Sequence, residues 1–200
     1  QITITGPDLE MTEVSGPPSA LTGETITISD TVTNNGGESG YFYVGFYLSE
    51  DSEITTDDFV LGSRMISGLA SGESSSGTTS VDLPVHMMGT YYIGAIADHI
   101  NNFVVESDET NNALAGNQIG ITGPDLYISS VSGPASIYVG QSMTISHTLA
   151  ASPDYGDAYS SATGFYLSTD NVITASDIFL GSRQEYGLSA GQSRSSDTTV

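Results

Sequence analysis

The chain repeats itself, and this repetition constrains its fold more than any single residue does. Residues 1–9 read QITITGPDL, and residues 118–126 read QIGITGPDL. The match continues in register, because GFYLSEDSEITTDDFVLGSR at residues 45–64 recurs as GFYLSTDNVITASDIFLGSR at residues 164–183. Self-similarity over a long period is typical of proteins built from tandem modules. It favours a structural or adhesive array over an enzyme.

The alignment of the two copies predicts the domain organisation. Residues 8–122 form one complete module, and residues 1–7 are a linker or the terminal strand of a preceding or neighbouring module. Residues 123–200 are a second copy that lacks its last strands, because it contains nothing that corresponds to residues 82–117. Two small domains of this kind suit a chain of 200 residues.

Apolar and polar residues alternate along most of the chain, which is the period of a half-buried β-strand. About seven such segments lie in residues 8–122, separated by Gly, Asn, Asp and Pro. No segment has the period of an α-helix over three turns. We therefore predict an all-β chain of tandem immunoglobulin-like antiparallel β-sandwiches. The residues expected in the core of the first module are Ile26, Ile28, Val32, Tyr91, Ile93 and Ala95.

A series of short motifs carries a resemblance to a known family. In order they are PDL, GxxxTIS, FYLSxDxxITxxDxxLGS, GxYYIxAxAD and ESxExNN. The series resembles the CARDB family, the cell-adhesion-related domains of bacteria and archaea, over nearly all of residues 7–122. Its first two thirds recur in residues 124–200. The resemblance implies an immunoglobulin-like sandwich of large secreted or cell-surface proteins, with adhesive or structural roles and no enzymatic activity.

The charge balance limits the partners that this chain can have. Formal net charge is −21, from 24 acidic residues and three arginines, and there is no lysine. Such a field repels nucleic acid and anionic lipid, so neither is an expected partner. No apolar run approaches the length of a membrane span, so membrane insertion is not expected either. The natural counter-charges are cations.

One acidic loop recurs in both copies and is the leading candidate for a cation site. Asp51 and Asp58 in SEDSEITTDD align with Asp170 and Asp177 in STDNVITASD. Calcium prefers six to eight oxygen ligands, and a loop of this length can turn both carboxylates and the carbonyls between them toward one ion. The alternative is that each aspartate caps its own turn through its side chain. We predict calcium bound by these four residues, and the sequence leaves the capping alternative open.

A second acidic loop, residues 98–112 (DHINNFVVESDETNN), occurs only in the first copy. As a ligand cluster it could bind calcium through Asp98, Glu106, Asp108 and Glu109. The favoured alternative is a hairpin in which the Asn residues accept left-handed geometry and bond the backbone.

Two basic residues, Arg64 and Arg183, occupy the same repeat position, and a forked guanidinium can hold a carboxylate. We expect each arginine to clamp the preceding loop, through Asp58 in the first copy and Asp177 in the second. His147 aligns with an aspartate on the apolar face of its strand, and it is interpreted as a polar residue tolerated near the sandwich edge.

Motifs of catalysis are missing from the sequence, which has no cysteine nucleophile, no serine elbow and no glycine-rich phosphate loop. We therefore expect no enzyme. A calcium-dependent carbohydrate-binding module remains an alternative, because exposed tyrosines could stack on sugars, although the chain has no tryptophan.

Assembly follows from the interrupted second copy. The segment Gln1, Ile2, Thr3, Ile4 and Thr5 is nearly identical to residues 118–122, the closing strand of the first module. It is suited to complete a neighbouring module by strand exchange, and the other route is completion by adjacent modules of a longer chain. The expected function is a non-enzymatic structural or adhesive repeat protein at the cell surface or outside the cell, in an adhesin or filament. A cell-surface or glycan partner is compatible with it.

Overall fold

A computed structural model describes residues 6–100 and 103–200 of the chain. Within those ranges every regular element is a β-strand, and no helix capable of crossing a membrane occurs. The chain divides into two compact units between Thr122 and Gly123, called unit 1 and unit 2 below. The predicted strand of residues 1–5 lies outside the described residues.

Unit 1 is a sandwich of two sheets built from eight strands. One sheet has three strands in the order β1-β3-β6, and the other has five in the order β2-β8-β7-β4-β5. The strands are β1 Leu9–Ser15, β2 Ser19–Leu21, β3 Thr25–Asn34, β4 Phe42–Ser49, β5 Phe59–Ile66, β6 Ser74–Asp82, β7 Gly89–Ala97 and β8 Ala113–Thr122.

The strand that the sequence did not predict is β2. It pairs parallel with β8, whereas all other pairs in unit 1 are antiparallel. Three residues after Pro17 and Pro18 are too few to show an alternating pattern, so the expectation of a strictly antiparallel sandwich is corrected at this edge.

Alternation places the core between the two sheets, as predicted. Ile26, Ile28 and Val32 point inward from β3, and Ile93 and Ala95 meet them from β7. Tyr91 is partly buried and packs against the same cluster. Burying a large aliphatic side chain contributes roughly 1.5–3 kcal/mol, so this cluster accounts for much of the stability of unit 1.

A second, smaller cluster covers the outer face of the five-stranded sheet. The loop after β4 folds back so that Ile54 packs on Tyr47 and Ile96. Gly94 makes this possible, because a Cβ atom there would collide with the side chain of Ile54. The first aspartate loop is therefore anchored to the sheet through Ile54.

Unit 2 contains five strands that repeat part of this pairing. They form a three-stranded sheet in the order β13-β10-β9 and a two-stranded sheet of β11 and β12. The strands are β9 Leu126–Ser132, β10 Thr144–Ala151, β11 Ser161–Leu167, β12 Ile178–Glu185 and β13 Ser193–Thr199. They correspond in order to β1, β3, β4, β5 and β6.

Even the irregularities of the ladders recur. The register between β1 and β3 shifts at Thr12, and that between β9 and β10 shifts at the aligned Ser129. The register between β4 and β5 shifts at Leu61, and that between β11 and β12 shifts at the aligned Leu180. A β-bulge is a local structural feature that a sequence must encode. The two units are therefore built by the same local rules.

Candidate functional site

The first aspartate loop of unit 1 is organised as two side-chain-capped turns. Asp51 Oδ1 accepts a hydrogen bond from the backbone N–H of Glu53 at 2.8 Å. Asp58 Oδ2 accepts one from the backbone N–H of Thr55 at 2.7 Å and another from the Thr55 hydroxyl at 3.3 Å. Each carboxylate thus satisfies a backbone donor of its own turn, as Asp commonly does.

The aligned loop of unit 2 has the same geometry. Asp170 Oδ1 accepts from the N–H of Val172 at 2.8 Å, and Asp177 Oδ2 accepts from the N–H of Thr174 at 2.7 Å. The bond from Thr174 holds the pKa of Asp177 below its ordinary value, because it stabilises the ionised form. In the described parts of the chain, no three His, Cys, Asp or Glu side chains converge as metal ligands. Calcium at these loops stays a prediction, and two caps per loop are the observed geometry.

Arg64 contacts a different carboxylate from the one expected. Its Nε lies 3.2 Å from Asp30 Oδ1, its Nη2 pairs with Asp30 Oδ2, and its Nη1 donates to the Ser75 hydroxyl at 3.0 Å. Because Arg64 is on β5 and Asp30 on β3, the pair bridges the two sheets. The expected clamp on Asp58 is wrong, since Asp58 is held in its own turn. Gly77 gives the guanidinium its space, because a Cβ there would lie 2.7 Å from Arg64 Nε.

Unit 2 replaces this pair with a different charged group. His147, aligned with Asp30, lies on the central strand β10 and is buried, so its placement near a sandwich edge is wrong. Its Nε2 lies 3.0 Å from Glu185 Oε1. Arg183 Nε is 3.4 Å from the same carboxylate oxygen, and Arg183 Nη1 donates to the carbonyl of Asp197 at 3.2 Å. The expected clamp between Arg183 and Asp177 is therefore wrong as well.

The loop between β7 and β8 holds the most perturbed carboxyl groups of unit 1. Asp98 has a positive φ of 48°, is buried, and accepts a bond from the N–H of Val104 at 2.8 Å. Glu106 accepts from Asn112 Nδ2 at 2.8 Å and from the backbone N–H of Leu9. Burial is the main cause that raises the pKa of Glu106 to about 7. Burial likewise raises the pKa of Asp98. The hairpin predicted here is present, and Glu106 ties it to the start of β1.

A histidine that sequence reasoning did not single out supports the outer face. His99 Nδ1 lies 2.8 Å from the Tyr47 hydroxyl, and the two rings meet edge to face. Burial lowers the pKa of His99, because it disfavours the charged imidazolium. Burial is also the main cause that raises the pKa of Tyr47. The neutral pair therefore joins the loop after β7 to β4.

Unit 2 exposes apolar side chains whose counterparts in unit 1 are covered. Val131 is 67% exposed, whereas the aligned Val14 is 5% exposed beneath β7 and β8. The 200 residues include no counterpart of that strand pair. A groove of about 380 Å³ results, lined by Ile128, Val131, Ile145, His147, Thr163, Gly164, Phe165, Tyr166 and Ile173. An apolar face of this kind marks an interaction surface.

These features define a modular β-sandwich protein whose polar clusters cap turns and join sheets. The sequence model of the CARDB family matches residues 6–116, which is more than half of the chain. The protein therefore belongs to the CARDB family, a cell-adhesion-related and non-catalytic family of domains. The match covers unit 1 and does not extend to unit 2.

Solved structures give fold-level likenesses. A crystallised CARDB domain from Pyrococcus furiosus, in complex with di-metal ions, is 23% identical with a TM-score of 0.45, over 60% of this chain and 93% of that domain. A solution NMR structure of the same CARDB domain is 24% identical with a TM-score of 0.44, over 59% of this chain and 97% of that one. A β-glucosidase from Listeria innocua in complex with glucose is 12% identical with a TM-score of 0.39, over 58% of this chain and 16% of that one. No curated protein matches.

Proposed function

We propose that the chain is part of a non-enzymatic structural or adhesive repeat array, in a surface adhesin or filament, and that unit 2 is a second copy of the CARDB module. The observation that carries this proposal is the repetition of strand order and of both β-bulges between the units. Membership of a cell-adhesion-related family supports the adhesive role. An extracellular or cell-surface location follows from the same reasoning.

The location and the role are tested on intact cells that make the protein. Antibodies raised against unit 1 should label unpermeabilised cells, and external protease should remove the label. Deletion of the coding segment for residues 6–200 should reduce attachment of the cells to surfaces or to one another. Labelling that appears only after lysis, with unchanged attachment, contradicts the proposal.

The open face of unit 2 supports a further part of the proposal, which is completion by strands from another module. Segment 1–5 is the donor that the sequence favours, because it matches residues 118–122. The other source is an adjacent module of a longer chain. In either case period two places Ile2 and Ile4 on one face of the donated strand. Head-to-tail donation would produce an open, filamentous assembly.

Sedimentation of the 200-residue chain over a range of concentrations tests this association. Val131→Asp should reduce it, because the charge would lie in the groove. The matched control is Val139→Asp, at a fully exposed position outside the residues that line the groove. The double change Ile2→Asp and Ile4→Asp should also reduce association if residues 1–5 are the donor. Equal sedimentation of all these variants contradicts strand exchange.

Calcium at the aspartate loops is proposed as a stabiliser of the array. Its support is the recurrence of Asp51 and Asp58 as Asp170 and Asp177 in a chain of net charge −21. Saturation at one hundred times Kd stabilises a folded state by about 2.7 kcal/mol. Changing all four residues to Asn retains the turn caps, because the amide oxygen still accepts the backbone bond. The melting shift produced by millimolar calcium should therefore fall, while the melting temperature in chelator stays similar.

The second candidate function is a calcium-dependent carbohydrate-binding module. It is favoured by the neighbouring aromatic side chains of Tyr41 and Phe103, about half exposed, with ring centroids 5.5 Å apart. Such a pair could stack on a sugar ring. A glycan array probed with the wild-type chain and with Tyr41→Ala tests it. Calcium-dependent binding to defined glycans that Tyr41→Ala abolishes would replace the structural proposal, and absence of binding would leave the array.

A further inference from the structure

Three buried oxygen atoms around the loop between β7 and β8 have no donor among the described residues. They are the Oδ1 atoms of Asp98, Asn111 and Asn112. Asp98 is 3% exposed and Asn112 is 7% exposed. A buried acceptor without a donor costs about 1–3 kcal/mol. All three atoms are acceptors, so the group that satisfies them must be a cation or a donor such as water.

The two asparagine amides have a defined orientation. Asn112 Nδ2 donates to Glu106 Oε1 at 2.8 Å, and Asn111 Nδ2 donates to Asp8 Oδ1 at 2.9 Å. A carboxylate can only accept, so it is the nitrogen of each amide that must face it. The Oδ1 atom of Asn112, on the same planar amide, therefore lies beside the carboxylate of Glu106.

Strand pairing brings Asp98 to the same place. The N–H of Ala97 donates to the carbonyl of Asn112 at 2.9 Å, which sets the next residue, Asp98, beside the amide pair. One oxygen of Asp98 is fixed by the N–H of Val104, so its other oxygen, Oδ1, is the one without a donor. The carboxyl groups of Asp98, Glu106 and Glu109 are close enough to raise one another's pKa values.

No side-chain cation of the chain balances this charge. Of the three arginines, Arg64 is paired with Asp30, and Arg183 and Arg194 belong to unit 2. The nearest histidine, His99, is held neutral by burial. The cluster is therefore anionic, partly buried and short of positive charge within the described residues.

We propose that this loop is a calcium site of unit 1, with Asp98, Glu106 and Asn112 as its side-chain ligands. Carboxylate and amide oxygens are hard donors, and calcium completes its six to eight ligands with backbone carbonyls and water in irregular geometry. Magnesium demands near-ideal octahedral geometry and is the poorer match. Asp108 is not a ligand, because its carboxylate bonds the N–H and hydroxyl of Thr110 in its own exposed turn. This inference goes beyond the proposed function, because it does not use the four aspartates of the repeated loops.

Stoichiometry separates this site from those loops. The repeated aspartates occur in both units, whereas residues 98–112 have no counterpart in unit 2. Calorimetric titration of calcium should be done on the full 200-residue chain with Asp51, Asp58, Asp170 and Asp177 all changed to Asn. We expect one calcium per chain to remain in that background. A parallel titration with magnesium should give a much weaker signal.

Asp98→Asn in the same background is the decisive variant. Asn tolerates the positive φ of this position and can still accept the bond from Val104, so the loop geometry is kept. Loss of one carboxylate ligand should raise the Kd for calcium on the order of tenfold or more. The matched control, Asp108→Asn, should leave the Kd unchanged.

The melting temperature without calcium excludes misfolding as the cause. In chelator, Asp98→Asn removes repulsion within the cluster and should leave unit 1 as stable or more stable. If it lowers the melting temperature instead, Glu106→Gln replaces it, with the same expected loss of calcium affinity. Complete loss of calcium binding in the four-Asn background, or equal binding by the Asp98→Asn and Asp108→Asn variants, would overturn this site. The first result would at the same time support calcium at the repeated loops.

Discussion

Leu48 and Leu167 occupy the same position in the two FYLS motifs, yet 2% of Leu48 and 54% of Leu167 is exposed. The difference lies in what covers them. In unit 1, β7 pairs with β4 and sets Ile93 opposite Leu48, whereas β11 in unit 2 pairs only with β12 among the described strands. The apolar pattern of both copies is that of a complete sandwich. The comparison shows that the pair β7 and β8 turns this pattern into a closed core.

A second contrast concerns the charged groups between the sheets. Unit 1 pairs Asp30 with Arg64 beside Gly77, and unit 2 has His147 and Ser196 at the aligned positions. The histidine finds its partner in Glu185, which aligns with the apolar Ile66. The two cores thus satisfy the same buried position on the central strand with opposite charge arrangements. A change at one member of either group requires changes at the others.

The largest expected effect comes from Ile28→Asp, which would place an unpaired charge in the closed core. We expect a loss of more than about 4 kcal/mol and the end of cooperative unfolding of unit 1. Hydrogen exchange read by mass spectrometry reports each unit through its own peptides. Peptides of unit 1 should lose protection, and those of unit 2 should keep it. A fully protected unit 1 would mean that β3 is not central.

The bridge between the sheets comes next. Arg64→Met would leave the carboxylate of Asp30 buried without its partner, at a cost of about 3 kcal/mol or more. The matched change in unit 2, Arg183→Met, should cost about 1 kcal/mol or less, because Arg183 is exposed and Glu185 retains His147. Urea unfolding followed by exchange in each unit measures both. Equal losses would contradict the different roles of the two arginines.

Truncation of the paired leucines tests the covering of the core directly. Leu48→Ala should destabilise unit 1 by about 2–5 kcal/mol. Leu167→Ala should change the stability of unit 2 by no more than about 0.5 kcal/mol, as at an exposed site. Both are measured from denaturant midpoints in the same chain. A large loss at Leu167 would show that its face is covered in solution, which is the condition proposed for the assembled array.

The smallest effect is a pH dependence confined to unit 1, measured in chelator. The pKa of Glu106 is raised from 4.5 to about 7, so its contribution to stability is full below pH 4.5 and is lost as the pH rises through 7. Repulsion among the other acids changes over part of the same range, so the difference between wild type and Glu106→Gln isolates this group. That difference should shrink above pH 7. A difference that is constant between pH 5 and 8 would contradict the raised pKa.

The alternation of apolar residues was enough to predict the sandwich, its core and most strand positions. Strand order was harder to read. Asp30 and His147 were interpreted as edge residues, because a sequence does not show that β3 and β10 lie at the centre of their sheets. The partner of Arg64 was missed for the same reason, since the pair joins strands of different sheets. The buried oxygens of Asn111 and Asn112 depend on amide orientation, which no motif encodes.

The parallel pairing of β2 with β8 has a mechanical consequence. Chain tension pulls the incoming segment before β2 and the outgoing segment after β8 in opposite directions. Because the strands run parallel, the force acts along them and shears the hydrogen bonds together, including Gly120 N–H to Pro18 O at 2.9 Å and Thr22 N–H to Thr122 O at 2.8 Å. Bonds loaded side by side share the force, whereas those at the end of a hairpin break one after another. Three residues of β2 thus act as a latch that a pull on the chain engages first.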